Sequence, residues 1–132
     1  MERRTLLALV SGGFLTAPLA AGAQQTSQMR RIGVLMGLAE RGPPAEARVG
    51  AFRKGLQTLG WTEGRNVRID IRWSTPSDAP AMQRFAKELV ALQPDLILSH
   101  TTPTTATLLQ HTRTIPIVFA VPEDPVKLGL VA

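Results

Sequence analysis

Four short apolar segments constrain the fold most strongly, because each is separated from the next by a stretch long enough for one helix. Residues 31–36 are almost continuously apolar, which is typical of a parallel strand covered on both faces. Residues 66–73 alternate apolar and polar side chains, which predicts a strand toward the sheet edge with one polar face. Residues 96–99 and 117–121 are predicted to be the third and fourth strands.

Helical patterns fill the intervals between these strands. Apolar residues recur three and four positions apart after Pro43, and Gly60 is placed to end that helix. A second helix, capped by Ser77 or Asp78, is predicted to run to about Leu92, and a third covers residues 105–112. The alternating order predicts an α/β fold with a doubly wound parallel sheet, which is Rossmann-like or flavodoxin-like.

The first 23 residues have the three parts of a secretory signal peptide. Arg3 and Arg4 precede an apolar run over residues 5–17, and Ala21-Gly22-Ala23 predicts cleavage after Ala23. The run is shorter than the roughly 20 apolar residues that a membrane span needs, although a retained anchor stays an alternative. Residues 24–132 are expected to form one exported domain.

The composition excludes several classes of site. The 132 residues include no cysteine, so disulfides, thiolate nucleophiles and cysteine-ligated metals are excluded. The net charge of +5 comes from separate basic clusters without interleaved aromatic residues, which are interpreted as solvated faces. We therefore expect no nucleic-acid partner.

Motifs for nucleotide binding and catalysis are weak. The glycines at 37 and 42 have the spacing of a phosphate loop, but Pro43 stands where the lysine is needed. His100 and His111 have no metal-ligand spacing, and Ser99-His100 lacks a third partner for a hydrolytic triad. The sequence thus predicts no enzyme activity, no cofactor and no metal, and a ligand contact by His100 stays open.

A ligand site is expected at the carboxyl ends of the strands, where doubly wound sheets bind their ligands. Residues 99–105 offer five hydroxyls and the amides of a helix N-terminus, which suit an anion or a carboxylate. Alternatively, Thr102 or Thr104 only caps the helix, and Asp124 either accepts from a ligand ammonium or caps a helix that begins at Pro125-Val126. The predicted ligand-binding residues are Gly37, Leu38, Thr101, Thr102 and Asp124.

Two longer motifs resemble a known family. Residues 55–67 read Gly-Leu-x-x-Leu-Gly-Trp-x-Glu-Gly-x-Asn-Val, and residues 116–126 read Pro-Ile-Val-Phe-x-x-x-x-Asp-Pro-Val. Together with residues 31–35 and 91–97, they resemble ABC transporter substrate-binding proteins of the tryptophan/tyrosine-binding type.

The resemblance implies a type I periplasmic binding protein with two lobes, of which residues 24–132 form an incomplete N-terminal lobe. It also implies capture of a small organic solute, for which an amino acid is a candidate, in the periplasm and delivery to an ABC permease subunit. The resemblance also implies that the C-terminal lobe of the full-length protein is missing here, so the isolated chain is expected to bind weakly or not at all. A periplasmic sensor and a cytoplasmic enzyme or regulator of flavodoxin-like topology are the alternatives.

Overall fold

The computed structural model describes residues 28–120, 124 and 126–131. The predicted signal peptide and its cleavage site lie outside the described residues. Strands and helices alternate along the described chain as β1 (Arg30–Met36), α1 (Pro43–Thr58), β2 (Val67–Trp73), α2 (Ala79–Ala91), β3 (Leu96–Ser99), α3 (Thr102–His111) and β4 (Ile117–Phe119).

The strands form one parallel sheet in the order β2-β1-β3-β4. Met36 at the end of β1 lies opposite Trp73 at the end of β2. Ser99 at the end of β3 lies opposite Leu35 on one side and Phe119 on the other. The carboxyl ends of the strands therefore share one edge, and the predicted parallel α/β fold is confirmed.

Alternate residues of β1 supply two separate cores. Val34 and Met36 belong to a cluster against which Phe52 of α1 packs. Leu35 points to the opposite face and packs in a second cluster with Leu89 of α2 and with α3. Helices thus cover both faces of the sheet, which explains why β1 is continuously apolar.

The end of α1 matches the prediction made for Gly60. This glycine has a φ of 93°, a conformation that costs glycine little and other residues more. Its N–H donates to the Gln57 carbonyl at 3.0 Å, and the Trp61 N–H donates to the Leu56 carbonyl at 2.8 Å. These two bonds form a Schellman motif, which satisfies carbonyls that the last helical turn leaves free.

Two boundaries differ from the sequence-based expectation. Helix α3 begins at Thr102 rather than at residue 105, because Thr101 caps it and Pro103 fits within its first turn. The residues expected to form a polar loop are therefore helical from Thr102 onward. Strand β4 ends at Phe119, and Val121 lies outside the described residues.

Strand β2 lies at the sheet edge, as its alternating pattern predicts. On its polar face, Asp70 contacts Arg31 at 3.3 Å, and Arg72 contacts Glu88 of α2 at 3.1 Å. Residues of the basic clusters therefore pair with carboxylates. Within the described ranges, no helix is long and apolar enough to cross a membrane.

The opposite edge of the sheet is less well covered. Val118 of β4 lies beside Leu98 of β3, on the face where α1 packs over β1 and β2. Its side chain is 51% exposed, so the described helices leave this end of the face open.

Candidate functional site

The ends of β1 and β3 meet at the carboxyl edge of the sheet. A Cβ atom built on Gly37 would lie 2.6 Å from Cγ2 of Thr101 and closer still to its Oγ1. Only glycine lets these two segments approach without displacing the threonine. The structure therefore brings together two of the predicted site residues, one just after each of the two central strands.

Thr101 fixes the start of α3. Its Oγ1 accepts from the Thr104 N–H at 3.4 Å, while the Thr101 N–H donates to Oγ1 of Thr104 at 3.0 Å. This reciprocal pair is a capping box, formed here with threonine in the place usually taken by glutamate or glutamine. The N-cap is therefore Thr101 and not Thr102 or Thr104, although Thr104 has a capping role as the second member of this box.

Three of the five hydroxyls in this segment are turned inward. Oγ of Ser99 lies 2.5 Å from Oγ1 of Thr105, and both side chains are buried. The hydroxyls of Thr104 and Thr105 each donate to the Thr101 carbonyl at 2.8 Å. The segment therefore presents fewer hydroxyl donors to a ligand than its composition suggests.

Thr102 is the first residue of α3, and its contact with a ligand stays a prediction. As the first helical residue, it has a backbone N–H without a carbonyl partner inside the helix, and its side chain is half-buried. The partial positive charge of a helix N-terminus favours an anion at this position.

The other two predicted residues have different surroundings. Leu38 is half-buried and packs against the cluster of Val34 and Met36. Asp124 is exposed, and its Oδ1 accepts from the Val126 N–H at 3.0 Å. It therefore caps the segment that follows, as one of its two alternatives predicts, but residues 126–129 form a turn and not the start of a helix. A capping carboxylate still has free lone pairs for a second donor.

His100 lines a mainly apolar cavity of about 300 Å³ between α1 and the sheet, together with Arg48 and Phe52. Burial lowers the pKa of the imidazole, and the positive charge of Arg48 lowers this pKa further. The Nδ1 atom is buried and has no hydrogen-bond partner among the described residues.

Sequence reasoning missed the groove between α1 and β2. Trp73, half-buried at the carboxyl end of β2, lines this open space of about 570 Å³ together with Glu40 and Glu46. The sequence signal was the aromatic residue at the end of the alternating strand.

Comparisons with known proteins agree with this architecture. The family described as ABC transporter substrate binding protein matches residues 32–132. A tyrosine-binding protein of Clostridioides difficile (strain R20291) is 28% identical over an alignment of 145 residues. The alignment covers 99% of this chain and 41% of that protein. The chain thus spans less than half the length of this curated relative.

Solved structures show the same relationship. An open, ligand-free substrate-binding protein with adhesive properties from Clostridium difficile is 32% identical with a TM-score of 0.68, covering 78% of this chain and 34% of that one. A conserved domain protein from Vibrio cholerae is 30% identical with a TM-score of 0.69, and the match covers 79% of this chain and 34% of that one.

An ABC domain from Streptococcus pneumoniae in complex with L-Trp is 28% identical with a TM-score of 0.68 over 79% of this chain and 34% of that one. The relatives that are described by function are substrate-binding proteins rather than enzymes. The family match covers most of the described sheet and helices, and the motifs at residues 55–67 and 116–126 lie inside it. The chain belongs to the ABC transporter substrate-binding protein family.

Proposed function

We propose that this chain forms the N-terminal lobe of a periplasmic solute-binding component of an ABC transporter, and that its solute is an aromatic amino acid. The observation that carries the proposal is the meeting of Gly37 and Thr101 at the carboxyl ends of the two central strands. That edge is where doubly wound sheets hold ligands. The relatives described as tyrosine-binding and as a complex with L-Trp support the choice of solute.

Each residue has a distinct role in this proposal. The N–H of Thr102 and the positive end of α3 bind the solute carboxylate. Asp124 accepts a hydrogen bond from the solute ammonium group. Gly37 lets Thr101 and the start of α3 lie directly against the end of β1, and Leu38 forms an apolar wall beside them.

A second lobe completes the site in the proposed protein. A small ligand is usually enclosed over about 70–90% of its surface, and one sheet edge covers only one side. The solved relatives are about three times as long as the matched region, which leaves room for an opposing lobe. Closure about a hinge then traps the solute and forms the surface that the permease recognises.

The test compares two proteins by calorimetric titration with L-tyrosine and L-tryptophan. The first is the chain itself, and the second continues residue 132 with the remaining part of the Streptococcus pneumoniae relative. We expect measurable affinity only in the two-lobed protein. In that protein, Thr102→Pro is expected to weaken the affinity about tenfold, because proline suits the first helical position but lacks the N–H proposed to bind the carboxylate. Equal affinity in both proteins contradicts the need for a second lobe, and no affinity in either contradicts the solute class.

Export is tested separately, in a Gram-negative host. Mass spectrometry of the periplasmic protein is expected to find Gln24 as the first residue, because the signal peptide is proposed to end at Ala23. Recovery of the uncleaved protein in the membrane fraction would instead support a retained anchor.

A further inference from the structure

Ser99 and Thr105 form a buried polar pair that the proposed contacts with solute do not use. Ser99 is 0% exposed and Thr105 is 1% exposed. Burying a hydroxyl without a hydrogen bond costs folding free energy, so buried hydroxyls in folded proteins are nearly always hydrogen-bonded. Here the two oxygens lie 2.5 Å apart, across the junction between β3 and α3.

Counting hydrogens gives this pair a direction. The Thr105 hydroxyl donates to the Thr101 carbonyl at 2.8 Å, and a hydroxyl has only one hydrogen to donate. The hydrogen between the pair must therefore come from Ser99. The result is a series of two hydrogen bonds, in which Ser99 donates to Thr105 and Thr105 donates to the carbonyl of Thr101.

That carbonyl belongs to the residue that caps α3. It also accepts from the Thr105 N–H at 3.0 Å and from the Thr104 hydroxyl at 2.8 Å. Ser99 itself is fixed in the sheet, because its carbonyl accepts from the Ala120 N–H at 2.9 Å. The first turn of α3 is thereby tied to the end of β3 through side chains as well as through the backbone.

We infer that Ser99 and Thr105 are positioning residues, which hold the first turn of α3 in the orientation that the solute carboxylate requires. This inference rests on the proposed function, since it deepens the role given there to Thr102. Neither residue touches the solute. Their effect passes through the Thr101 carbonyl to the amide of the next residue.

The test replaces the hydroxyl of Thr105 with a methyl group of similar size. Thr105→Val is expected to lower the affinity of the two-lobed protein for L-tryptophan about tenfold. The separate variant Thr105→Ser keeps the hydroxyl and is expected to retain most of the affinity of the unsubstituted protein. Affinity for tryptamine, which lacks the carboxylate, is expected to change less than twofold in both variants. Equal losses for L-tryptophan and tryptamine would overturn the inference.

Thr107→Val is the matched control. Thr107 is also buried in α3, and its hydroxyl donates at 2.8 Å to the Pro103 carbonyl of the same helix rather than connecting the helix to the sheet. It is expected to lower the thermal stability to a similar extent while leaving affinity for L-tryptophan unchanged. If both valine variants lose the same affinity, the role of Thr105 is only structural.

Amide hydrogen exchange in the chain itself gives a readout that needs no solute. Thr105→Val and Ser99→Ala are expected to raise the exchange rates of the Thr104 and Thr105 amides severalfold, whereas Thr107→Val leaves them unchanged. Unchanged rates in the first two variants refute the positioning role. If exchange is faster in these variants but the unsubstituted two-lobed protein binds no solute, the tie to the sheet is supported and the proposed function is refuted instead.

Discussion

Two regions of the sheet differ in how completely they are packed. At the ends of β1 and β3, the hydroxyls of Ser99, Thr104 and Thr105 are all hydrogen-bonded, and Gly37 contacts Thr101 without spare room. Toward β4 on the α1 face, Val118 is half exposed. The first region is closed by contacts among its own residues, whereas the second exposes apolar surface that the described helices do not cover.

The largest expected difference between the regions concerns apolar side chains in neighbouring strands. Ile97 of β3 is 0% exposed, so Ile97→Ala should lower the free energy of unfolding by about 2–5 kcal/mol through lost burial and a residual cavity. Val118→Ala in β4 should lower it by less than about 0.5 kcal/mol, because the side chain already contacts solvent. Urea unfolding of both variants measures the difference, and similar losses would show that the β4 face is packed.

The next effect tests the close approach of the two central strand ends. Gly37→Ala places a methyl group against Thr101 and should cost about 1–3 kcal/mol of unfolding free energy. Gly50→Ala is the matched control, because its Cβ meets nothing within 4 Å, and in a helix it should stabilise by about 0.5–1 kcal/mol.

A double-mutant cycle with Thr101→Ala isolates the contact. The alanine variant alone should cost about 1 kcal/mol through the lost cap. Combined with Gly37→Ala, it should cost less than the sum of the two, because the added methyl group no longer meets the threonine branches. Strict additivity would show that the strain lies elsewhere.

The smallest effect concerns His100 in the less complete region. Since burial and then Arg48 lower its pKa in the folded protein, the unfolded chain binds more protons between that lowered value and about 6.5. The free energy of unfolding should therefore fall as the pH drops below about 6.5. Denaturant unfolding from pH 5 to 8 measures this dependence. The free energy of unfolding should fall less at low pH in His100→Gln than in the unsubstituted protein, and Arg48→Met should remove part of the fall. An unchanged profile in His100→Gln would exclude this histidine as the cause.

Much of the fold follows from local patterns. The continuous apolar residues of β1 predicted a strand with two covered faces, and the alternation in β2 predicted an edge strand, because hydrophobic periodicity directly reflects burial. Gly60 also marked the end of α1, since a Schellman motif requires a left-handed conformation.

The candidate site was less predictable, because its polar groups depend on contacts across the fold. Pro103 signals that α3 starts early, but nothing in the sequence shows that Ser99 bonds to Thr105. The order of the strands, which decides that Gly37 meets Thr101, also follows only from the tertiary structure. Whether Asp124 faces a solute remains a prediction of the sequence.

The contact between positions 37 and 101 limits how this protein can be redesigned. The Thr101 side chain occupies the volume that a Cβ at position 37 would need, so any side chain at 37 has to displace the threonine or move the first strand. An engineer who wants a bulkier or smaller solute therefore has more freedom at Leu38 or Thr102 than at the point where the two chain segments touch.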